Sequence, residues 1–121
     1  MCGRILLADH DNDALTCLVN LLEGMGFETA AAHSREELLQ TVPHFQPNVV
    51  IVDCAIPGVD RHGMARVLRA RNPGHTMLLI ALTGWGQPEQ GDALLAAGYD
   101  VHLVKPVGLD QLRFILSMID A

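Results

Sequence analysis

The chain has 121 residues, of which half are apolar and 4% aromatic, and it carries a formal net charge of −6. That length holds one domain, and the apolar share is enough for a packed core, which excludes a disordered tail. The acidic balance, with no block of Lys and Arg, excludes direct nucleic-acid binding and docking on anionic membrane.

The first apolar run is Ile5-Leu6-Leu7-Ala8, which ends in acid. Asp11 is placed to cap a helix whose apolar residues Leu15, Leu18, Val19 and Leu22 follow the i, i+3, i+4, i+7 rule. Gly24 and Gly26 bracket its end. Phe27 to Ala31 reads as a weaker strand. Ser34 followed by Glu37 is a capping-box signature for a second helix, with Leu38 and Val42 on one face and Pro43 and Pro47 closing the unit.

Val49-Val50-Ile51-Val52 is the strongest strand signal. It is β-branched throughout, so it is expected to be buried on both faces. Pro57 and Gly58 mark a loop. A third helix follows, with Met64, Val67 and Leu68 inward, and Asn72-Pro73-Gly74 ends it. Met77 to Leu82 is another buried strand. Thr83, Gly84, Gly86 and Pro88 form a loop, and Pro88 suits the first position of a fourth helix, which Gly98 stops. Val101 to Val104 is a fifth strand. Leu109 or Asp110 opens the last helix, which buries Leu112, Ile115, Leu116 and Ile119.

Five βα units with non-alternating strands imply an α/β fold: a parallel sheet covered by helices on both faces. No repeat, linker or low-complexity stretch divides the chain, so residues 1–121 are expected to form one domain. No stretch is long enough to cross a bilayer and no signal-peptide layout opens the chain, so the expected location is the cytoplasm. Cys2, Cys17 and Cys54 fit no zinc or redox spacing and are read as reduced thiols, Cys54 as a small apolar filler. His33, His44, His62 and His75 are too scattered for a zinc site.

The residues with chemistry collect at one end of the sheet. Asp9, His10 and Asp11 follow the first strand, Asp53 ends the third, Thr83 the fourth and Lys105 the fifth. In an open parallel sheet the ligand crevice lies outside the carboxyl ends of the strands, at the switch in strand order. Two carboxylates about 4 Å apart repel by roughly 4 kcal/mol at an effective dielectric of 20. A hard divalent cation with oxygen ligands relieves that repulsion. Helix capping explains Asp11. It does not explain Asp53, a carboxylate at the mouth of the core after a wholly apolar strand.

The runs "ILLADHDND", "NVVIVDCAIPGVD", "LLIALTG" and "HLVKP", in that order and at suitable spacing, resemble the receiver domain of two-component response regulators over nearly the whole chain. "ALTGWGQPE" and "HLVKPV" look most like receivers of hybrid sensor histidine kinases. The resemblance implies a flavodoxin-like five-stranded parallel sheet of order 2-1-3-4-5. It implies a signalling domain, not an enzyme, that takes a phosphoryl group from a phosphohistidine onto Asp53. Slow self-dephosphorylation goes with that role. A histidine kinase or histidine phosphotransfer domain would be the partner, and a kinase or output domain could be fused outside this chain. Asp9, Asp53 and the backbone carbonyl of Ala55 would hold Mg²⁺. Thr83 and Lys105 would contact the phosphoryl oxygens, Pro106 would follow the lysine, and Thr83 with His102 would form the switch.

Two residues depart from the family's pattern. His10 stands where the second acid of the metal-binding pair belongs, and neutral imidazole is a poor Mg²⁺ ligand that suits softer metals, leaving Mn²⁺ as an alternative. Arg61 replaces a glycine and would either clash or lend charge to the phosphate. Trp85 is either a lid over the site or a partner contact. His10 also supports a rival reading, a pseudo-receiver that binds proteins without phosphorylation. A second rival is a haloacid-dehalogenase-like phosphatase with Asp9 as nucleophile and Asp11 as acid. It leaves Asp53 without a task, and no acidic pair follows Lys105. A flavin carrier of the same architecture would need a Ser/Thr/Gly-rich turn where "DHDND" stands.

Overall fold

The computed structural model describes residues 3–9, 11–53, 63–74, 76–83, 98–104 and 108–119. Strands β1 (Arg4–Ala8), β2 (Glu28–Ala32), β3 (Val49–Asp53), β4 (Leu78–Thr83) and β5 (Val101–Val104) form one sheet of order β2-β1-β3-β4-β5. Every neighbouring pair is parallel. The described helices are α1 (Asn12–Gly24), α2 (Arg35–Phe45), α3 (Met64–Arg71) and α4 (Leu109–Ile119). The helix expected after Pro88 lies outside the described residues.

Alternation along each strand sorts the core into two layers. Leu6, Val50, Val52, Leu79 and Ala81 pack with Leu38, Val42 and Leu68 of α2 and α3. Ile5, Leu7, Val49, Ile51, Ile80 and Leu82 pack with Leu15 and Leu22 of α1 and Leu112 and Leu116 of α4. All five residues of β3 are buried, as expected of a central parallel strand covered on both faces.

Local chemistry sets the helix boundaries. Asp11 caps α1, its side chain accepting from the N–H groups of Asp13 at 3.0 Å and Ala14 at 3.4 Å. Ser34 caps α2 through the Glu37 N–H at 3.2 Å. The reciprocal half of the box differs from expectation, because Glu37 Oε2 accepts from the N–H of His33 at 2.9 Å, one residue before the cap. Pro43 does not close α2. The helix runs through it to Phe45 and ends at Gln46, whose φ is 51° and whose N–H reaches the Val42 carbonyl at 2.9 Å. So late in the helix, a proline removes one ladder hydrogen bond from the final turn, which the end of the helix tolerates. The second and fourth strands each begin one residue later than their apolar runs, at Glu28 and Leu78.

Candidate functional site at the carboxyl ends of the strands

The ladder places the chemistry. Ala8 pairs with Val52, so Asp9 and Asp53 are the next residues of adjacent strands β1 and β3. Asp53 pairs with Leu82, and Thr83 pairs with Val104. Neighbouring strands lie about 4.8 Å apart. Asp9, Asp53 and the backbone of Thr83 therefore stand along one end of the sheet, and Lys105 is the next residue in sequence after Val104. The crevice expected from strand order lies here, where β1 connects to one side of the sheet and β3 to the other.

Asp9 and Asp53 are the buried charged residues among the described ones, 2% and 1% exposed. Burying a carboxylate is costly unless it is hydrogen-bonded, paired or bound to metal. Asp9 is held from two sides. Its N–H donates to the Ala32 carbonyl at the end of β2 at 3.1 Å, and its Oδ1 accepts from the Asp11 N–H at 3.0 Å. That second bond turns the chain from β1 into α1. Two buried carboxylates at the ends of adjacent strands are oxygen donors of the kind that suits a hard divalent cation. Among the described residues no group of three or more His, Cys, Asp and Glu is arranged to hold a metal. The further expected ligands, the Ala55 carbonyl and His10, lie outside the described residues, as do Lys105, Pro106, Arg61 and Trp85.

His102 is half-buried in β5, in register with Ala81, two residues before Thr83 on β4. His33 pairs with Glu37, ring Nδ1 to Oε2 at 3.3 Å, and is half exposed. The N–H of His33 first, and its ring second, hold the Glu37 carboxyl below its ordinary value. His44 sits in the last turn of α2. Cys17 is a free, exposed thiol on α1, while Cys2 and Cys54 lie outside the described residues.

One feature escaped the sequence reading. Arg69 of α3 and Asp100 before β5 form an ion pair at 2.8 Å. The two are 31 positions apart, and neither belongs to a local motif, so no sequence signal joins them. No described helix is long and apolar enough to cross a membrane.

Comparisons with known proteins agree with this architecture. The family described as "Response regulator receiver domain" matches residues 5–117. The virulence sensor protein BvgS of Bordetella bronchiseptica is 34% identical over 115 residues, covering 91% of this chain and 9% of that protein. The DNA-binding response regulator MtrA of Mycolicibacterium paratuberculosis is 32% identical over 103 residues, covering 85% of this chain and 44% of that one. The chain thus spans less than half the length of either relative. The crystal structure of a CheY-like response regulator receiver domain protein from Methanospirillum hungatei superposes with a TM-score of 0.85 at 28% identity, covering 99% of this chain and 95% of that one. The sheet order, the buried acids at adjacent strand ends and these matches lead to one conclusion: the chain belongs to the response regulator receiver domain family of two-component signalling.

Proposed function

We propose that Asp53 is the phosphoacceptor and that residues 1–121 act as a single receiver. The observation that carries this reading is the burial of Asp53, 1% exposed, at the end of an entirely apolar strand and on the rung beside buried Asp9. A carboxylate oxygen of Asp53 attacks the phosphorus of a phosphohistidine. The new O–P bond forms as the P–N bond breaks, and the departing imidazole nitrogen keeps the electron pair and takes a proton from solvent. Such a transfer asks the protein for alignment and charge neutralisation more than for covalent chemistry.

Receiver domains bind Mg²⁺. Here Asp9, Asp53 and the Ala55 carbonyl would hold it, with His10 in the position of the missing acid, and the cation would supply charge neutralisation between the carboxylates and the incoming phosphoryl oxygens. Asp9 keeps its place through the Ala32 carbonyl and the Asp11 N–H, so its carboxylate needs no reorganisation for that task. Thr83 and Lys105 contact the phosphoryl oxygens as hydroxyl donor and ammonium. Thr83 and His102 form the switch that turns the new charge into a surface change. Hydrolysis of the acyl phosphate by the domain itself resets it slowly. The phosphodonor is a histidine kinase or histidine phosphotransfer domain, and the setting is the cytoplasm.

The test treats the protein with a small phosphodonor and Mg²⁺ and follows intact mass. Wild type gains one phosphoryl group in a hydroxylamine-sensitive linkage, and Asp53→Asn gains none. Label that resists hydroxylamine, or that persists in Asp53→Asn, removes Asp53 from the role.

A further inference from the structure

At the end of the sheet opposite Asp53, Arg69 reaches from the last turns of α3 onto the chain that enters β5. Its Nη2 donates to the Gly98 carbonyl at 2.9 Å and to Asp100 Oδ2 at 2.8 Å. Its Nε donates to the same carbonyl, and its Nη1 to the Met77 carbonyl, both at 3.3 Å. Asp100 in turn holds Leu79 twice. Its Oδ2 accepts the Leu79 N–H at 2.8 Å, and its own N–H donates to the Leu79 carbonyl at 2.8 Å. Gly98 has a φ of +114°, a backbone conformation that side chains rarely adopt, so the turn into β5 calls for glycine.

The ion pair alone is weak, since both side chains are 40% exposed. Its value lies in what it fixes. The β5 strand has four residues and lies at the sheet edge. Leu103 is buried, Val101 and His102 are half-buried and Val104 is exposed. So short and mixed a pattern specifies register poorly, and a slip of one residue would turn every side chain to the other face. The grip of Asp100 on Leu79 selects the observed ladder, in which Ile80 pairs with Val101 and Thr83 with Val104.

We propose that Arg69 and Asp100 are positioning residues that set the register of β5, and through it the height at which Lys105 is delivered beside Asp53 and Thr83. This rests on the reading of Lys105 as a phosphoryl contact. The effect reaches the site along the strand, because the four residues that separate Asp100 from Lys105 are β5 itself. The adjoining cleft of about 460 Å³ includes both charged groups in its wall, but they are already engaged with each other, so it makes no claim on an anion or cation.

The experiment compares wild type, Arg69→Gln, Arg69→Lys and Asp100→Asn, each with Lys105 present and in a Lys105→Ala background. The first readout needs no phosphodonor: hydrogen exchange at the Leu79 amide and cross-strand NMR contacts between Ile80 and Val101. The second is the rate of Asp53 labelling by a small phosphodonor with Mg²⁺. Arg69→Gln and Asp100→Asn are expected to lose protection at Leu79 and weaken the Ile80–Val101 contacts. Labelling is expected to slow by about tenfold or more, because displacement of an aligned group by about 1 Å carries penalties of that order. In the Lys105→Ala background the same variants should produce no further slowing, since a residue acting through Lys105 has nothing left to position. Unchanged β4–β5 contacts, or equal slowing in both backgrounds, overturns the proposal. Arg69→Lys keeps the charge and gives a milder version of the same result if Arg69→Gln does not fold. If wild type takes no label, the phosphoacceptor reading fails, and the register measurements still decide whether the clasp does what is proposed.

Discussion

Asp9 and Asp53 each follow the paired residues Ala8 and Val52, so two nearly inaccessible carboxylates stand at the ends of neighbouring strands. Like charges on neighbouring strands disfavour the doubly ionised state, and a cation held by both would relieve it. Asp53→Asn is therefore expected to be more stable than wild type in chelator, by about 1–2 kcal/mol, the usual gain when a strained functional group is neutralised. Added Mg²⁺ should stabilise wild type and leave the variant nearly unmoved, since only a ligand that binds the folded state shifts unfolding. Urea denaturation with EDTA and with Mg²⁺ measures both. Equal stability of the two proteins in EDTA would show that the pair is already compensated by its protein neighbours.

The identity of residue 10 makes a prediction about metal choice. His10 supplies one fewer oxygen ligand and one fewer negative charge than an acid would. His10→Asp is expected to tighten Mg²⁺ on the order of tenfold and to narrow the preference for Mn²⁺. Titration of both cations against Trp85 fluorescence reads this. Unchanged affinities would place the histidine away from the metal.

The pairing of Ala81 with His102, two rungs below Thr83 and Val104, gives the proposed switch a local form. A beryllofluoride adduct at Asp53, standing in for the phosphoryl group, is expected to shift the His102 ring resonances and the amides of β5 and α4. One or two charge-assisted hydrogen bonds supply roughly 1.5–3 kcal/mol each, enough to move a two-state equilibrium by one to four powers of ten. NMR shifts confined to the residues around Asp9 and Asp53 would mean that the signal leaves by another route.

Glu37 links the start of α2 to pH. Its folded-state pKa is lowered, chiefly by the His33 N–H and then by the His33 ring. A carboxyl with a depressed folded pKa contributes stability that is present above its ordinary value of about 4.3 and is lost as pH falls through the folded value. Amide protection at His33 and in the first turn of α2 should therefore hold at neutral pH and decline below the ordinary carboxylate range. Glu37→Gln should remove that dependence. Hydrogen exchange followed across acid pH tests it, and identical profiles for wild type and variant would assign the acid response elsewhere.

Much of this architecture was legible because local and global signals agree. The β-branched run Val49–Val52 could only be a strand covered on both faces, and Asp11 and Ser34 mark helix starts with bonds the structure contains. The carboxyl-end location of Asp9 and Asp53 followed from the same alternation of elements. What the sequence concealed depends on distance along the chain. Pro43 looked like a stop, yet its cost falls on the final turn, where the helix was about to end. The Arg69 clasp joins residues 31 positions apart, and no periodicity announces such a pair. Glu37 kept its box but chose the N–H of His33, a preference set by the course of the backbone rather than by residue type.

The strand order has a consequence for biosynthesis. The sheet grows outward from β1: β2 pairs on one side, β3 on the other, then β4 against β3 and β5 last. In the finished protein β4 is an interior strand, but in a nascent chain that has emerged only through Thr83 it is the rim. Leu78, Leu79, Ile80, Ala81 and Leu82 then present an apolar row of unsatisfied backbone groups, the template on which chains pair with one another. The four-residue strand that follows Gly98 is thus also the cover that ends this exposure.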